Sequence, residues 1–254
     1  MHMKDPIVII GLGEMGGVFA RGFLRSGHPV YPVTRDTDCG ALAAELKTPE
    51  LVLIAVAEKD LHPVLKQIPT VWRDRIALLQ NELLPADWVQ YGYDNPTVIS
   101  VWFEKKKGQD AKVIIPSPAF GPKAGLLAEA LGNIDIPVTV LEDADQLLFE
   151  LVRKNVYILT TNIAGLKTGG TVGELWSQHQ DLARAVASEV ITLQEKLTGH
   201  NFDHEALIKA MVEAFNGDTE HKCMGRSAPA RLQRALELAD QYGVDVPVMR
   251  KIAG

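Results

Sequence analysis

The segment IVIIGLGEMGG, residues 7–17, constrains the fold of this chain more than any other. Residues 7–10 form a continuous apolar, β-branched run, which is typical of a strand buried on both faces of a parallel sheet. Gly11, Gly13 and Gly16 follow at the spacing G-x-G-x-x-G, and the apolar positions after them repeat at helical intervals. A strand, a glycine turn and a helix in this order predict a dinucleotide-binding unit. The alternative is a tight turn of the same shape that binds no ligand.

The three glycines have separate roles in such a unit. Gly11 permits the tight turn, Gly13 lets backbone N–H groups approach a pyrophosphate, and Gly16 lets the helix pack on the strand. The N-terminus of the helix supplies partial positive charge for the phosphates. The predicted cofactor contacts are the residues of the turn and a valine at the end of a later strand: Gly11, Leu12, Gly13, Glu14, Met15, Gly16 and Val56.

The end of the second predicted strand, in HPVYPVTRD, indicates which dinucleotide is bound. An acidic residue at this position holds the ribose 2′-hydroxyl of NAD, whereas an arginine accommodates the 2′-phosphate of NADP. The chain has Thr34 and Arg35 here, and Asp36 comes one position late. Arg35 can form charge-assisted, bidentate hydrogen bonds to a phosphate, and Thr34 can add a hydroxyl. The sequence therefore favours NADP as the cofactor.

Composition and charge exclude several classes of function. A net charge of −6 over 254 residues argues against a nucleic-acid-binding surface, which needs clustered positive charge. No apolar run is long enough to cross a bilayer, and we expect no signal peptide and no membrane partner. Cys39 and Cys223 match no disulfide framework, so we expect a reducing, cytoplasmic location. We expect no metal site, because His200 and His204 flank Asp203 in what is best interpreted as a helix start.

Alternating strands and helices occupy the first part of the chain, and helices alone occupy the rest. The predicted strands lie at 7–10, 29–33, 51–56, 76–80, 97–102, 111–115 and 137–141, with helices at 14–26, 38–46, 61–68 and 123–132 between several of them. A basic tip at 105–107 indicates an antiparallel hairpin at the sheet edge. The predicted fold is therefore α/β, with a Rossmann-type doubly wound sheet in residues 1–141 and an all-helical domain in residues 142–254.

Polar residues in both predicted domains are candidates for a substrate site, which we expect between the domains at the carboxyl ends of the strands. Asn81 follows a buried strand and can bond the nicotinamide ribose or the substrate, or only form a turn. Lys154 and Asn162 are eight residues apart, slightly more than two helical turns, so they project from nearly one face. The alternative for Lys154 is a solvent-facing pair with Arg153.

A lysine suits the reduction of a carbonyl group by a nicotinamide cofactor. Hydride addition develops negative charge on the carbonyl oxygen, and an ammonium group stabilises that charge and delivers a proton. Burial would lower the lysine pKa toward neutrality, which suits a donor that must be recharged. Arg226, between Gly225 and Ser227, is a further candidate for contact with an anionic substrate, although a charge near a helix start is the simpler interpretation.

Taken as a whole, the chain resembles the ketopantoate reductase family, within the broader group of 6-phosphogluconate dehydrogenase-like oxidoreductases. The resemblance extends nearly from end to end. It is carried by GLGEMG with Thr34-Arg35, QNELL, VISVWFEKKKGQDAKVII, the helix from Lys154 to Asn162, GELW with ASEV and EKLTG, and LELADQYGVDVP.

The resemblance implies roles for four residues of this sequence. Lys154 would be the general acid that protonates the carbonyl oxygen as hydride arrives from NADPH. Asn162 would bind the substrate, Glu189 would be a carboxylate near the catalytic lysine, and Asn81 would contact both cofactor and substrate. The chain departs from the family at Ala57, where the family has a lysine, and at Ile158, where it has an asparagine.

Two functions remain open at this point. The first is an NADPH-dependent oxidoreductase that reduces a small 2-oxo acid or related carbonyl compound. The second is an NADP-binding sensor or scaffold protein without turnover, in which Ala57 and Ile158 mark a lost site. The helical domain is expected to serve in substrate binding and dimerisation, and a homodimer is the candidate assembly.

Overall fold

The computed structural model describes residues 4–254, so residues 1–3 of the predicted first domain lie outside the described part. The chain divides between Leu148 and Phe149 into two compact units, named here the first and the second unit. The strands are β1 (Ile7–Ile10), β2 (Val30–Val33), β3 (Leu51–Ile54), β4 (Ile76–Leu78), β5 (Thr97–Ile99), β6 (Phe103–Glu104), β7 (Lys112–Val113), β8 (Ser117–Phe120) and β9 (Val138–Val140).

Helices alternate with these strands and then continue alone to the end of the chain. They are α1 (Glu14–Arg25), α2 (Cys39–Glu45), α3 (Glu58–Leu65), α4 (Ala86–Val89), α5 (Ala124–Gly132), α6 (Ala144–Thr168), α7 (Val172–Gln178), α8 (Gln180–Thr198), α9 (His204–Gly217), α10 (Ala228–Tyr242) and α11 (Pro247–Ala253). A short 3₁₀ helix, Thr70–Arg75, precedes β4. None of the helices in residues 4–254 is both long and apolar enough to span a bilayer.

The central sheet of the first unit is parallel from β2 to β5. Within the described residues it has seven strands in the order β2-β1-β3-β4-β5-β8-β9, and β1 pairs in parallel with both β2 and β3. Every residue of β1 and β3 is buried, as their continuous apolar sequences predict. Because the chain goes from β1 to one neighbour and then crosses to the other, a topological switch point lies between β1 and β3. The predicted Rossmann-type doubly wound sheet is confirmed.

The hairpin after β5 lies outside this sheet, which corrects the predicted edge hairpin. In the described chain, β6 and β7 pair with each other as a separate ribbon, and the basic tip turns at Gly108, where φ is +75°. The sheet continues instead through β8, which is antiparallel to β5 and parallel to β9. Pro118 in β8 lacks an N–H group, but its carbonyl accepts a hydrogen bond from the Ser100 N–H at 2.9 Å. The prolines therefore do not exclude this segment from the sheet.

Helix α1 packs against α5 across a glycine. A Cβ atom at Gly22 would lie 2.5 Å from the carbonyl oxygen of Ala130 on α5. Phe19 and Phe23 of α1 are fully buried in the core that α1 and α5 share with the strands. The missing side chain at Gly22 thus lets the two helix backbones approach while the phenylalanines fill the layer beside them.

The second unit is built from helices. In the described residues after β9, the β-type pairing is limited to one bridge, between Thr171 and Lys222, and the predicted all-helical part is confirmed. Thr171 and Glu174 form a capping box at the start of α7. Asp203 accepts a hydrogen bond from the Ala206 N–H and caps α9, so this segment is the helix start that its sequence predicts.

The substitution Gly22→Ala should lower the free energy of unfolding by about 1–3 kcal/mol, because the added methyl group overpacks the contact between α1 and α5. Gly17→Ala in the same helix is the matched control. No described atom outside the helix backbone lies within 4 Å of a Cβ at Gly17. The control should be neutral or raise the stability by up to about 1 kcal/mol through helix propensity. Urea denaturation measures both changes, and an equal effect of the two substitutions would contradict the assigned contact.

Candidate cofactor site and active site

The turn between β1 and α1 is shaped by two glycines. Gly11 has a φ of +94°, and a Cβ atom there would lie 2.9 Å from the carbonyl oxygen of Ala55, just after β3. A Cβ atom at Gly16 would lie 2.2 Å from the carbonyl oxygen of Gly11. Because atoms cannot approach this closely, both positions require glycine. The turn therefore has the geometry that the fingerprint spacing predicts.

Gly13 differs from its neighbours because its surroundings are open. No described atom lies within 4 Å of a Cβ built at Gly13. Gly13 is also the N-cap of α1, and in the described structure no side chain caps the helix there. The first N–H groups of α1 thus face a space that a phosphate can occupy, as at other helix N-termini that bind anions.

A cleft of about 530 Å³ lies at the carboxyl ends of β1, β2 and β3. This is the switch point of the sheet, where open α/β sheets bind their ligands. Its lining residues are Ile10, Gly11, Gly13, Val33, Thr34, Arg35, Thr37, Cys39, Ala55, Val56, Ala57, Asp60, Val64, Gln67 and Ile68. The structure thus brings together five of the residues predicted to bind the cofactor: Gly11, Gly13, Thr34, Arg35 and Val56.

Arg35 and Thr34 occupy the exposed rim of this cleft. The Thr34 N–H donates a hydrogen bond to the Thr37 hydroxyl at 3.0 Å, which fixes the turn after β2. Arg35 has no hydrogen bond or ion pair with the described residues, and its guanidinium remains available to a ligand. Asp36 is exposed, and Asp38 is the N-cap of α2.

The other residues of the turn face away from this cleft. Leu12 and Glu14 line a second cleft of about 570 Å³ beside the hairpin, which Gly13 also lines. The Glu14 carboxylate forms an ion pair with the Lys105 ammonium at 3.1 Å. This pair offsets a negative charge that would otherwise oppose a phosphate near the start of α1. Met15 packs against the hydrophobic core of the first unit.

Two amides follow β4, and both are engaged. Gln80 is buried, and its Nε2 donates to the carbonyl oxygens of Ile54 at 2.8 Å and Val56 at 3.2 Å. Gln80 therefore joins the ends of β3 and β4. The Asn81 Nδ2 donates to the Glu58 carboxylate at 3.0 Å, and Asn81 is not a lining residue of the 530 Å³ cleft. Its contact with cofactor or substrate stays a prediction.

In the second unit, Lys154 lies on α6 in surroundings that disfavour its charge. Burial of the ammonium group, together with the positive charges of Arg231 and Arg153, lowers the pKa of Lys154 to about 7. The residue as a whole is half-buried. The ammonium also lies 5.9 Å from the centre of the Tyr157 ring. At neutral pH this lysine can therefore both hold and release a proton.

Asn162, which is also on α6, contacts Arg231, a residue of α10. The Arg231 guanidinium donates a hydrogen bond to the Asn162 Oδ1 at 3.3 Å, and the Asn162 Nδ2 donates to the Ile158 carbonyl at 2.8 Å. Sequence reasoning missed Arg231 and weighed Arg226 instead, which is exposed in the segment before α10. The amphipathic pattern of α10 was visible, but nothing in it distinguished Arg231 from the other cations of that helix.

Glu189 has a clear structural partner. Its carboxylate accepts hydrogen bonds from the backbone N–H groups of Val248 at 2.7 Å and Met249 at 2.9 Å, in the first turn of α11. This side chain therefore caps a helix whose first N–H groups would lack partners. The predicted place of Glu189 beside the catalytic lysine stays a prediction, and both of its oxygens are already used by α11.

No protein-family model and no curated protein matches this sequence. Solved structures match its fold over nearly the whole chain. The 2-dehydropantoate 2-reductase from Methylococcus capsulatus has a TM-score of 0.71 and 16% identity, covering 98% of this chain and 94% of that one. A D-mandelate dehydrogenase solved with NADH has a TM-score of 0.69 and 13% identity, covering 98% and 96%. A dimeric ketopantoate reductase from Staphylococcus aureus has a TM-score of 0.67 and 15% identity, covering 98% and 96%.

At identities this low, the likeness establishes the fold. The resemblance predicted from GLGEMG, Thr34-Arg35 and the Lys154 helix is confirmed at that level. The chain has the fold of the ketopantoate reductases.

Proposed function

We propose that this protein is an NADPH-dependent reductase of a small 2-oxo acid or related carbonyl compound. The observation that carries the proposal is Lys154, whose pKa lies near 7 beside the guanidinium of Arg231. Titratable groups with strongly shifted pKa values are concentrated at catalytic sites. The solved structures with the same fold include 2-dehydropantoate 2-reductases and a D-mandelate dehydrogenase, which supports a reaction at a carbonyl or hydroxyl carbon.

The residues of the first unit fit a nicotinamide dinucleotide. Gly13 leaves open space at the uncapped start of α1 for the pyrophosphate, and Arg35 stands free at the cleft rim for a 2′-phosphate. Thr34 adds a hydroxyl at the same rim. The apolar lining around Val64 and Ile68 suits a flat aromatic base. NADPH, when bound, supplies the hydride for the reduction.

Lys154 supplies the proton in this proposal. Its ammonium donates a hydrogen bond to the substrate carbonyl oxygen and stabilises the negative charge that develops there. The proton then passes from the Lys154 Nζ to that oxygen, which leaves a neutral amine and a hydroxyl product. Because the pKa is about 7, the amine regains a proton from solvent at neutral pH with little loss of free energy.

A non-catalytic NADP-binding protein is the second candidate. Ile158 is a buried apolar residue, and Ala57 lines the cleft without a polar side chain, at two positions where the resemblance implies polar groups. Turnover of any carbonyl compound separates the two functions. The homodimer and the cytoplasmic location stay predictions, and the dimeric reductase from Staphylococcus aureus supports the first of them.

NADPH should bind more tightly than NADH by about 1.5–3 kcal/mol, because Arg35 forms charge-assisted hydrogen bonds to the 2′-phosphate. Arg35→Ala should remove most of this preference while leaving NADH affinity nearly unchanged. Lys47→Ala, which removes an exposed positive charge of the same unit outside the cleft lining, is the control and should keep the preference. Calorimetric titration with NADPH and with NADH measures the preference of each variant. Equal affinities in the unaltered protein would refute the assignment.

Lys154→Ala should reduce the single-turnover rate of NADPH oxidation by about 100- to 10,000-fold, the usual effect of losing a positioned acid. Its NADPH affinity should stay nearly unchanged, because the glycine cleft belongs to the first unit. Lys209→Ala removes an exposed lysine of α9 and serves as the control. Turnover by Lys154→Ala at the control rate would remove this lysine from the mechanism. A loss of NADPH binding would make it a cofactor ligand instead.

A further inference from the structure

The hairpin between β6 and β7 carries three consecutive lysines, and one of them is held against the start of α1. The Lys105 ammonium donates hydrogen bonds to the Glu14 carboxylate at 3.1 Å and to the Lys106 carbonyl at 2.8 Å. Its side chain is 20% exposed, whereas that of Lys106 is 62% exposed and pairs with Glu104 at 3.0 Å. Lys107 is also exposed. An ion pair and a backbone contact thus hold Lys105 beside α1, a place that its two neighbours do not share.

Glu14 is the first residue of α1 and comes directly after the N-cap, Gly13. A carboxylate in the first turn of a helix is favourable while the helix start holds no ligand, because it faces the positive end of the helix dipole. The same carboxylate opposes a phosphate that binds to the first N–H groups, because two anions then share one helix end. A chain that binds a pyrophosphate at this helix start therefore has to offset the charge of Glu14.

Lys105 supplies that offset from a part of the chain that is distant in sequence. Together with Gly13 and Glu14 it lines the cleft of about 570 Å³, and Gly13 also lines the cleft of about 530 Å³ that we propose for the cofactor. Arg21 lines the first of these clefts too, but it lies seven residues after Glu14 on α1, about 10 Å along the helix. The Glu14–Lys105 pair carries no net formal charge, whereas Glu14 alone would be an anion next to Gly13.

We propose that Lys105 determines cofactor affinity by cancelling the charge of Glu14, so that the cofactor pyrophosphate can bind at the start of α1. This inference rests on the proposed function, which takes that helix start as the pyrophosphate site. It makes the hairpin part of the cofactor site and changes the expected role of Glu14, from a cofactor contact to a charge that must be offset. Arg35 and Lys105 then have separate tasks. Arg35 distinguishes NADPH from NADH, whereas Lys105 affects both cofactors equally, because both contain the pyrophosphate.

Lys105→Met should weaken the binding of NADPH and of NADH by the same factor, about 3- to 10-fold at low salt, because Glu14 then opposes the pyrophosphate without a counter-charge. Lys106→Met removes the neighbouring lysine of the same hairpin and is the matched control, with both affinities nearly unchanged. Lys105→Arg keeps the charge and should keep most of the affinity. Calorimetric titration at about 0.01 M and about 1 M salt measures the losses, and the loss from Lys105→Met should shrink at the higher concentration.

Glu14→Gln distinguishes an effect of charge from an effect of tethering. The glutamine can still accept a hydrogen bond from Lys105, but the negative charge is gone. If the pair acts through charge, Glu14→Gln should bind both cofactors about 2- to 5-fold more tightly, and the double variant with Lys105→Met should return close to the unaltered affinity. A gain in affinity cannot come from damage to the fold. If both single variants weaken binding, the pair only tethers the hairpin, and the inference is overturned.

The same titrations separate this inference from the proposed function. Binding that depends on Lys105 and Glu14 with these opposite signs, without reduction of any carbonyl compound, would keep the inference and reject the reductase. Equal NADPH affinities of Lys105→Met and Lys106→Met, with carbonyl reduction intact, would reject the inference alone. A loss confined to NADPH would reject it as well, because it would assign Lys105 to the 2′-phosphate. Failure of the unaltered protein to bind either cofactor would reject both the inference and the proposed function.

Discussion

The contact between Gly16 and the carbonyl oxygen of Gly11 fixes the path of the chain from β1 into α1. At the spacing found here, a Cβ atom on residue 16 would lie 2.2 Å from that oxygen, so any other residue would force the helix away from the strand. The contact places the start of α1 directly beyond the end of β1. It thereby leaves Gly13 and the first N–H groups of the helix at the switch point of the sheet. The shape of the cleft that we propose for the cofactor follows from this one close approach.

The second unit, in contrast, contains a group of positive charges whose proximity is unfavourable and is maintained by the folded structure. Burial disfavours the charge of Lys154, and the positive charges of Arg231 and Arg153 disfavour it further. Such arrangements lower stability, and they persist in proteins mainly where they serve a function. Here the consequence is a Lys154 amine whose pKa lies at about 7. Other contacts in the unit hold these cations in place. Arg231 donates a hydrogen bond to the Asn162 amide oxygen, and Arg153 forms ion pairs with Glu150 and Glu213.

Local sequence patterns predict most of the fold, whereas most of the candidate site depends on contacts between residues that are distant in sequence. The glycine spacing and the apolar runs of β1 and β3 are local signals, and they predicted the parallel core and the glycine turn after β1. Strand β8 could not be predicted, because the prolines of IPSPAF suggest a break and only the neighbouring strands show that the Pro118 carbonyl is needed. Arg231 has no motif at all. Its contact with Asn162 joins residues 69 positions apart, which no periodicity in the sequence reveals.

The resemblance to the ketopantoate reductase family implies roles for individual residues, and the contacts of those residues in the structure modify these expectations. Lys154 has the lowered pKa that a proton donor needs, and the sequence argument from burial anticipated that direction. Glu189 and Asn81, in contrast, each have partners within their own units, in the first turn of α11 and in Glu58. A family role transferred by position does not reveal such partners, because they depend on how neighbouring helices pack in this particular chain.

The pH dependence of NADPH-driven 2-oxo acid reduction tests the central claim most directly. The quantity to measure is kcat/KM, which reports the pKa values of the free enzyme. If Lys154 is the acid, kcat/KM should be constant below about pH 7 and should fall about tenfold per pH unit above it, as the ammonium loses its proton. The account would be contradicted by a rate that stays constant well above pH 7, by the same break in the residual activity of Lys154→Ala, or by the absence of NADPH oxidation with every 2-oxo acid.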